Sequence, residues 1–141
     1  MPASGKSTIA KILTKKIQDV ELIVSDDISS PTYSKIMNII DEITGMFKYI
    51  IIDATFYNKK WREELRDVVD ERDKIYLVYI QCSLETCIER NKEREDSIPE
   101  KAIHIIWNKF DIPENPDIII NTDIIDPEEA VEIILSEIHE R

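Results

Sequence analysis

A chain of 141 residues with 29 acidic against 18 basic side chains carries a formal net charge of −11. Its 43% hydrophobic and 33% charged content is that of an ordinary soluble domain with one real core, and a second domain does not fit. The charge argues against a general nucleic-acid-binding surface, because a polyanion is repelled unless bases are locally concentrated. The apolar runs are far shorter than a bilayer span or a signal-peptide core, so the chain is expected to be cytoplasmic and without a membrane partner.

The chain opens MPASGKSTIAKILTKKI. Gly5, Lys6 and Ser7 match the second half of the phosphate-loop pattern G-x-x-x-x-G-K-[ST], whose first glycine would stand one residue ahead of Met1. Ile9, Ile12, Leu13 and Ile17 recur with helical spacing, so a helix opens at GKST. VELIV (20–24) predicts a strand ending at Asp26-Asp27. Ser30-Pro31 reads as an N-cap followed by a first-turn proline, and Ile36, Ile39, Ile40 and Ile43 carry that helix to Gly45. YIIID (49–53) is a short β-branched run suited to burial on both faces of a parallel sheet.

Trp61, Leu65, Val68 and Val69 mark the next helix and IYLVYI (75–80) the next buried strand. Ser83 caps a helix through Leu84, Cys87 and Ile88 that runs into ERNKERED (89–96), and helical spacing resumes from Ile98 to Phe110. DIII (117–120) is the last strand, and Asp126-Pro127-Glu128-Glu129 opens the last helix. Strands alternating with helices predict an α/β fold: one doubly wound, mostly parallel sheet with helices on both faces, in a single domain over 1–141.

A helix starting at a phosphate loop offers unpaired N–H groups and a positive dipole end to a polyanion such as ATP. Lys6 can reach the β- and γ-phosphates, Ser7 can bind Mg2+, and Thr8 is a further phosphate donor. Asp53, at the end of a hydrophobic strand, is placed as a metal-side acid. Asp26 and Asp27 end the preceding strand on the same edge, where one of them could orient an acceptor hydroxyl and take its proton. Arg90 and Arg94, spaced i, i+4, are expected to share a helix face and meet developing phosphoryl charge. Lys59, Lys60 and Arg62 are either acceptor contacts or a solvated helix start. Ile103, Trp107 and Phe110 read as core, Cys82 and Cys87 as buried free thiols, and nothing is assigned to His104 or His139.

MPASGKST, VSDD, IIIDATFYNKKWREEL and IQCSLETCIERNKERE followed by IPE together resemble the small P-loop kinases. That group includes L-seryl-tRNA(Sec) kinase, adenylylsulfate kinase and polynucleotide kinase, and these stretches look much like the archaeal L-seryl-tRNA(Sec) kinase domain. Phe56, Tyr57 and Arg62, with Arg90 and Arg94, are the more discriminating matches; Ala54 stands where relatives often carry a second acid. The resemblance implies ATP and Mg2+ as cofactors, a P-loop over 1–8 with Gly5, Lys6, Ser7 and Thr8 on the phosphates, and Ser7 with Asp53 at the metal. It further implies Asp26 as the base, a lid over about 89–112 bearing Arg90 and Arg94, and the segment NTD (121–123), with Asn121 and Thr122, along the adenine.

The expected function is therefore transfer of the ATP γ-phosphate to a hydroxyl on a small molecule or on an aminoacyl-tRNA-linked serine, with Lys6, Asp26, Arg90 and Arg94 catalytic. The rival is a nucleotide-dependent binding protein acting with tRNA, similar to Elongator-associated P-loop proteins, and a third reading is a mis-started or defective fragment of such a kinase. Archaeal L-seryl-tRNA(Sec) kinases continue into a C-terminal RNA-binding region that this sequence does not contain, so the tRNA substrate stays open. In related kinases the strand before the P-loop is central. The expectation is thus that Met1 is internal to a longer loop and that a strand place between YIIID and IYLVYI goes unfilled.

Overall fold

The computed structural model describes residues 3–56, 58–69, 73–95 and 97–139; Met1 and Pro2 of the loop and Tyr57 of the FY segment lie outside the described residues. In chain order the elements are α1 (Lys6–Lys16), β1 (Val20–Val24), a short 3-10 turn (Ser25–Asp27), α2 (Thr32–Ile43), β2 (Tyr49–Asp53), α3 (Lys59–Val68), β3 (Val78–Gln81), α4 (Leu84–Glu93), α5 (Glu100–Lys109), β4 (Ile118–Asn121) and α6 (Pro127–His139).

The strands form two parallel pairs. β1 lies on β2 with Val20 opposite Tyr49 and Val24 opposite Asp53. β3 lies on β4 with Val78 opposite Ile118 and Gln81 opposite Asn121. Among the described residues no ladder joins β2 to β3. A cavity of about 530 Å3 opens there, walled by Ile50 and Ile52 of β2, Val78 and Ile80 of β3, and Ile9 and Leu13 of α1. The facing strands make much of its wall apolar, as suits strands built for burial on two faces, and Lys6, Lys48, Asp53 and Arg62 also line it.

Each pair carries its own core. Ile118 and Ile120 of β4 pack with Ile9 and Leu13 of α1 and with Ala130, Val131 and Ile134 of α6. Ile23 of β1 packs with Ile36 and Ile40 of α2, flanked by Leu65 and Val68 of α3. A third cluster joins Cys82, Cys87 and Ile103. Burial of both cysteines agrees with the sequence reading, but they are not free thiols: Cys82 and Cys87 are joined as a disulfide. The turn capped by Ser83 brings the first turn of α4 back over the end of β3.

Several boundaries move for local reasons. β3 starts three residues later than the apolar run, because the Leu77 N–H is taken by the Asp117 carboxylate at 2.6 Å instead of by a neighbouring strand. α2 starts at Thr32 and not at Pro31: Pro31, after a cis peptide bond with Ser30, is extended (φ −80°, ψ 108°) in the N-cap place and accepts the Lys35 N–H through its carbonyl. α5 starts at Glu100, since the Asn91 side chain holds Ile98 by both its N–H (3.0 Å) and its carbonyl (2.6 Å) and keeps it out of the helix. The last helix is capped as expected, with Asp126 Oδ1 accepting the Glu129 N–H at 2.8 Å.

Candidate active site

The phosphate loop bridges the two strand pairs. Gly5 caps α1 with φ 102° and ψ 0°, a left-handed conformation that a side chain would strain. The first helical N–H to find a carbonyl is that of Ile9, on Gly5 at 3.1 Å. The N–H groups of Lys6, Ser7 and Thr8 lie in the first turn, at the positive end of the helix, and that turn itself contains no acidic residue.

On the β2 side, Asp53 closes its strand with a side chain only 3% exposed. Ser7 Oγ donates to Asp53 Oδ2 at 2.7 Å, and Lys6 Nζ stands 3.1 Å from Oδ1. The Lys6 approach is a charge contact and not an aligned hydrogen bond, which leaves Oδ1 buried without a hydrogen-bond donor among the described residues. A hydroxyl oxygen beside a buried carboxylate with an unused oxygen fits Mg2+, which takes one or two protein oxygens and completes its shell with phosphates and water. Among the described residues no cluster of three His, Cys, Asp or Glu could hold a metal without such help.

On the β3–β4 side, Arg90 projects from α4 to the loop. Its Nη1 donates to the Ser4 carbonyl and to Thr122 Oγ1, each at 3.0 Å, and its Nη2 donates to the Thr122 carbonyl at 2.8 Å. Arg94 does not continue that helix face. It is the C-cap of α4, already extended at φ −82° and ψ 144°, because the Asn91–Ile98 clamp turns the chain away. Both arginines nevertheless line one cavity of about 570 Å3 together with Gly5, Lys6, Ser7, Thr8 and Thr122.

Asp26 and Asp27 lie exposed in the 3-10 turn after β1, on the edge where Val24 pairs with Asp53. Asn121 turns its side chain to the chain itself, with Oδ1 accepting the Asp123 N–H at 3.0 Å, and it is Thr122 and Asp123 that line the cavity. Arg62 donates to the Phe56 carbonyl at 2.7 Å, while Lys59 stands 3.9 Å from Glu63.

Two sets of contacts go beyond the sequence patterns. Tyr33 of α2 stacks on Trp61 of α3 (centroids 5.1 Å apart) and meets Phe56 at 5.2 Å, beside the edge bearing Asp26 and Asp53. Phe56 has φ 43°, an uncommon value for a bulky residue, and is held by its N–H to the Tyr33 hydroxyl at 2.9 Å and by the Arg62 bond. The second is Asp123, whose carboxylate accepts the Ser83 N–H at 3.0 Å. A hydrogen bond from Thr86, then those from Ser83 and the charge of Arg90, holds its carboxyl below the usual range. No spacing rule marks either feature, although the polar run NTD after a strand signals a turn.

Known proteins resemble this chain in family and fold. The family described as AAA domain matches residues 27–111. The L-seryl-tRNA(Sec) kinase of Methanococcus maripaludis is 30% identical over 86% of this chain, which spans 56% of that protein's length. The adenylyl-sulfate kinase of Thermodesulfovibrio yellowstonii is 32% identical over 100% of this chain and 81% of its own length. Among solved structures, a sugar kinase from Janibacter superposes with a TM-score of 0.78 at 17% identity, covering 97% of this chain and 89% of that one. The APS kinase of Mycobacterium tuberculosis in complex with AMPPNP and APS gives 0.68 at 16% identity, covering 99% and 92%; at such identities these two establish the fold. With a family match over more than half its length and kinase relatives around 30% identity, the chain belongs to the AAA domain family as a P-loop kinase domain.

Proposed function

We propose that this domain transfers the γ-phosphoryl group of Mg·ATP to a hydroxyl acceptor, either a small molecule of the adenylyl-sulfate kind or a serine carried on tRNA. The observation that carries the reading is the convergence of Lys6 and Ser7 on the buried Asp53, facing a cavity lined by Arg90 and Arg94. A loop N–H cradle, a lysine, a metal-side acid and guanidinium groups are what in-line phosphoryl transfer asks of a protein.

In this mechanism the N–H groups of Lys6, Ser7 and Thr8 and the Lys6 ammonium bind the β- and γ-phosphates. Ser7 and Asp53 would hold Mg2+ directly or through water, and the ion would supply neutralisation of phosphate charge. Asp26 orients the acceptor hydroxyl and takes its proton, an accessible carboxylate on the edge next to Asp53. Arg90 and Arg94 stabilise the transferred charge, and residues 89–112 act as the lid that carries them. Asn121 shapes the turn that places Thr122 and Asp123 along the base end of the nucleotide. The half-buried rings of Tyr33, Phe56 and Trp61 supply a wall on the acceptor side.

The test is product-based. Radiolabelled γ-phosphate ATP with Mg2+ is offered together with adenylyl sulfate, seryl-tRNA or free serine, and label transfer is followed. Label in one acceptor identifies the reaction. ATP hydrolysis stimulated by tRNA with no labelled acceptor would replace this reading by a nucleotide-dependent tRNA-binding role.

A further inference from the structure

We propose that Thr122 is a positioning residue of the phosphate loop: its hydroxyl and the Arg90 guanidinium form a latch that fixes the Ser4 carbonyl and so sets the direction of the loop N–H groups. This rests on the phosphotransferase reading for its functional consequence. The latch itself stands on geometry.

A loop that turns its N–H groups toward an anion must turn carbonyls the other way, and a carbonyl turned into protein needs a donor. Ser4 is 0% exposed, so the donors must come from the protein. Its carbonyl accepts Thr122 Oγ1 at 2.6 Å and Arg90 Nη1 at 3.0 Å. The Thr122 hydroxyl has one proton. As it accepts from Arg90 Nη1 at 3.0 Å, that proton is available to Ser4, whose oxygen is closer than the alternative Gln81 carbonyl at 3.3 Å.

Thr122 is in turn anchored by its own N–H on the Gln81 carbonyl at 2.9 Å and by its carbonyl on Arg90 Nη2 at 2.8 Å. The end of β3, the helix α4 and the turn after β4 thus meet the loop at a single side chain. Gly5 lies against the same side chain: a Cβ there would meet Thr122 Cγ2 at 3.5 Å, an ordinary van der Waals contact. Position along the nucleotide's base end and position of its phosphates are coupled through this one hydroxyl.

The experiment compares Thr122→Val, which keeps the shape and loses the hydroxyl, with Thr122→Ser, which keeps the hydroxyl. Amide order parameters of Gly5 and Lys6 are measured without nucleotide, and Mg·ATP affinity and the acceptor KM are measured separately. In Thr122→Val the order parameters are expected to fall from about 0.85 towards 0.6. Mg·ATP affinity should drop about tenfold, as for the loss of one buried hydrogen bond, with the acceptor KM unchanged. Thr122→Ser should restore both.

Should Thr122→Val fail to fold, Arg90→Lys takes its place, since an ammonium cannot span Ser4 and both Thr122 oxygens, and the same loosening is expected. Unchanged order parameters would overturn the latch even if ATP affinity fell, because Thr122 would then be acting directly on the nucleotide. If the wild-type protein binds no Mg·ATP, the phosphotransferase reading fails by itself, and the order parameters still decide the latch.

Discussion

The phosphate loop is held from two sides by contacts of different kinds. Toward β2, Lys6 and Ser7 both address the Asp53 carboxylate, using a charge and a hydroxyl that phosphate and Mg2+ can compete for. Toward β4, Arg90 and Thr122 address a backbone carbonyl of the loop itself, an uncharged acceptor that belongs to the chain. The β2 side is therefore suited to exchange partners during a reaction, and the β4 side to keep the loop in place while that happens. The two strand pairs share no ladder among the described residues, so α1 and its loop connect them.

The largest effect is expected on the exchanging side. Asp26→Asn should lower phosphoryl transfer by roughly two to four orders of magnitude with ATP affinity nearly intact, as for loss of a general base. Steady-state kinetics beside equilibrium nucleotide binding checks this, and the same loss in Asp27→Asn alone would move the role one residue along. Lys6→Ala should weaken both Mg·ATP binding and turnover by about tenfold or more, roughly 1.4 kcal/mol. A smaller loss in both would remove Lys6 from the phosphates.

Coupling between the halves can be sharpened by filling the cleft. An added N-terminal segment of about five β-branched apolar residues and a glycine, designed as a strand parallel to β2 and β3, should raise the melting temperature by roughly 3–5 °C for each kcal/mol gained. Equal melting and equal ATP affinity with and without the segment would show that the two pairs need no strand between them.

The smallest effect belongs to the tie between the turns after β3 and β4. The folded-state carboxyl of Asp123 lies below its ordinary value of 3.8, so its contribution is present above that value and is lost as pH falls through the lower folded value. Asp123→Asn should lower stability slightly at neutral pH, where that contribution is present, and flatten the acid limb of the stability curve in that window. A thermal melt series from neutral pH into the acid range reads this directly.

Much of this was legible from local pattern. Helix α1 follows from Ile9, Ile12 and Leu13 behind Gly5, and β1 and β2 lie where VELIV and YIIID place them, because burial periodicity and glycine conformation are properties of adjacent residues. The Ser83 and Asp126 caps are legible for the same reason. Arg94 was misplaced on a continuing helix, since the clamp that ends α4 joins Asn91 to Ile98 across a turn and leaves no periodic trace. The disulfide between Cys82 and Cys87 likewise depends on how a turn folds back, not on a recognised spacing.

The sequence by itself determined the order of elements, the loop chemistry of Gly5, Lys6 and Ser7, and the acid that ends each of the first two strands, all of which are written in short-range pattern. Tertiary structure alone decided what those groups touch. Ser7 meets Asp53 across 46 positions and Thr122 meets Ser4 across 118, contacts made by packing separate elements against one another. No local propensity encodes a hydroxyl that closes a loop from the far end of the chain. It follows only when β4 lies beside β3 and α4 delivers Arg90 to the same carbonyl.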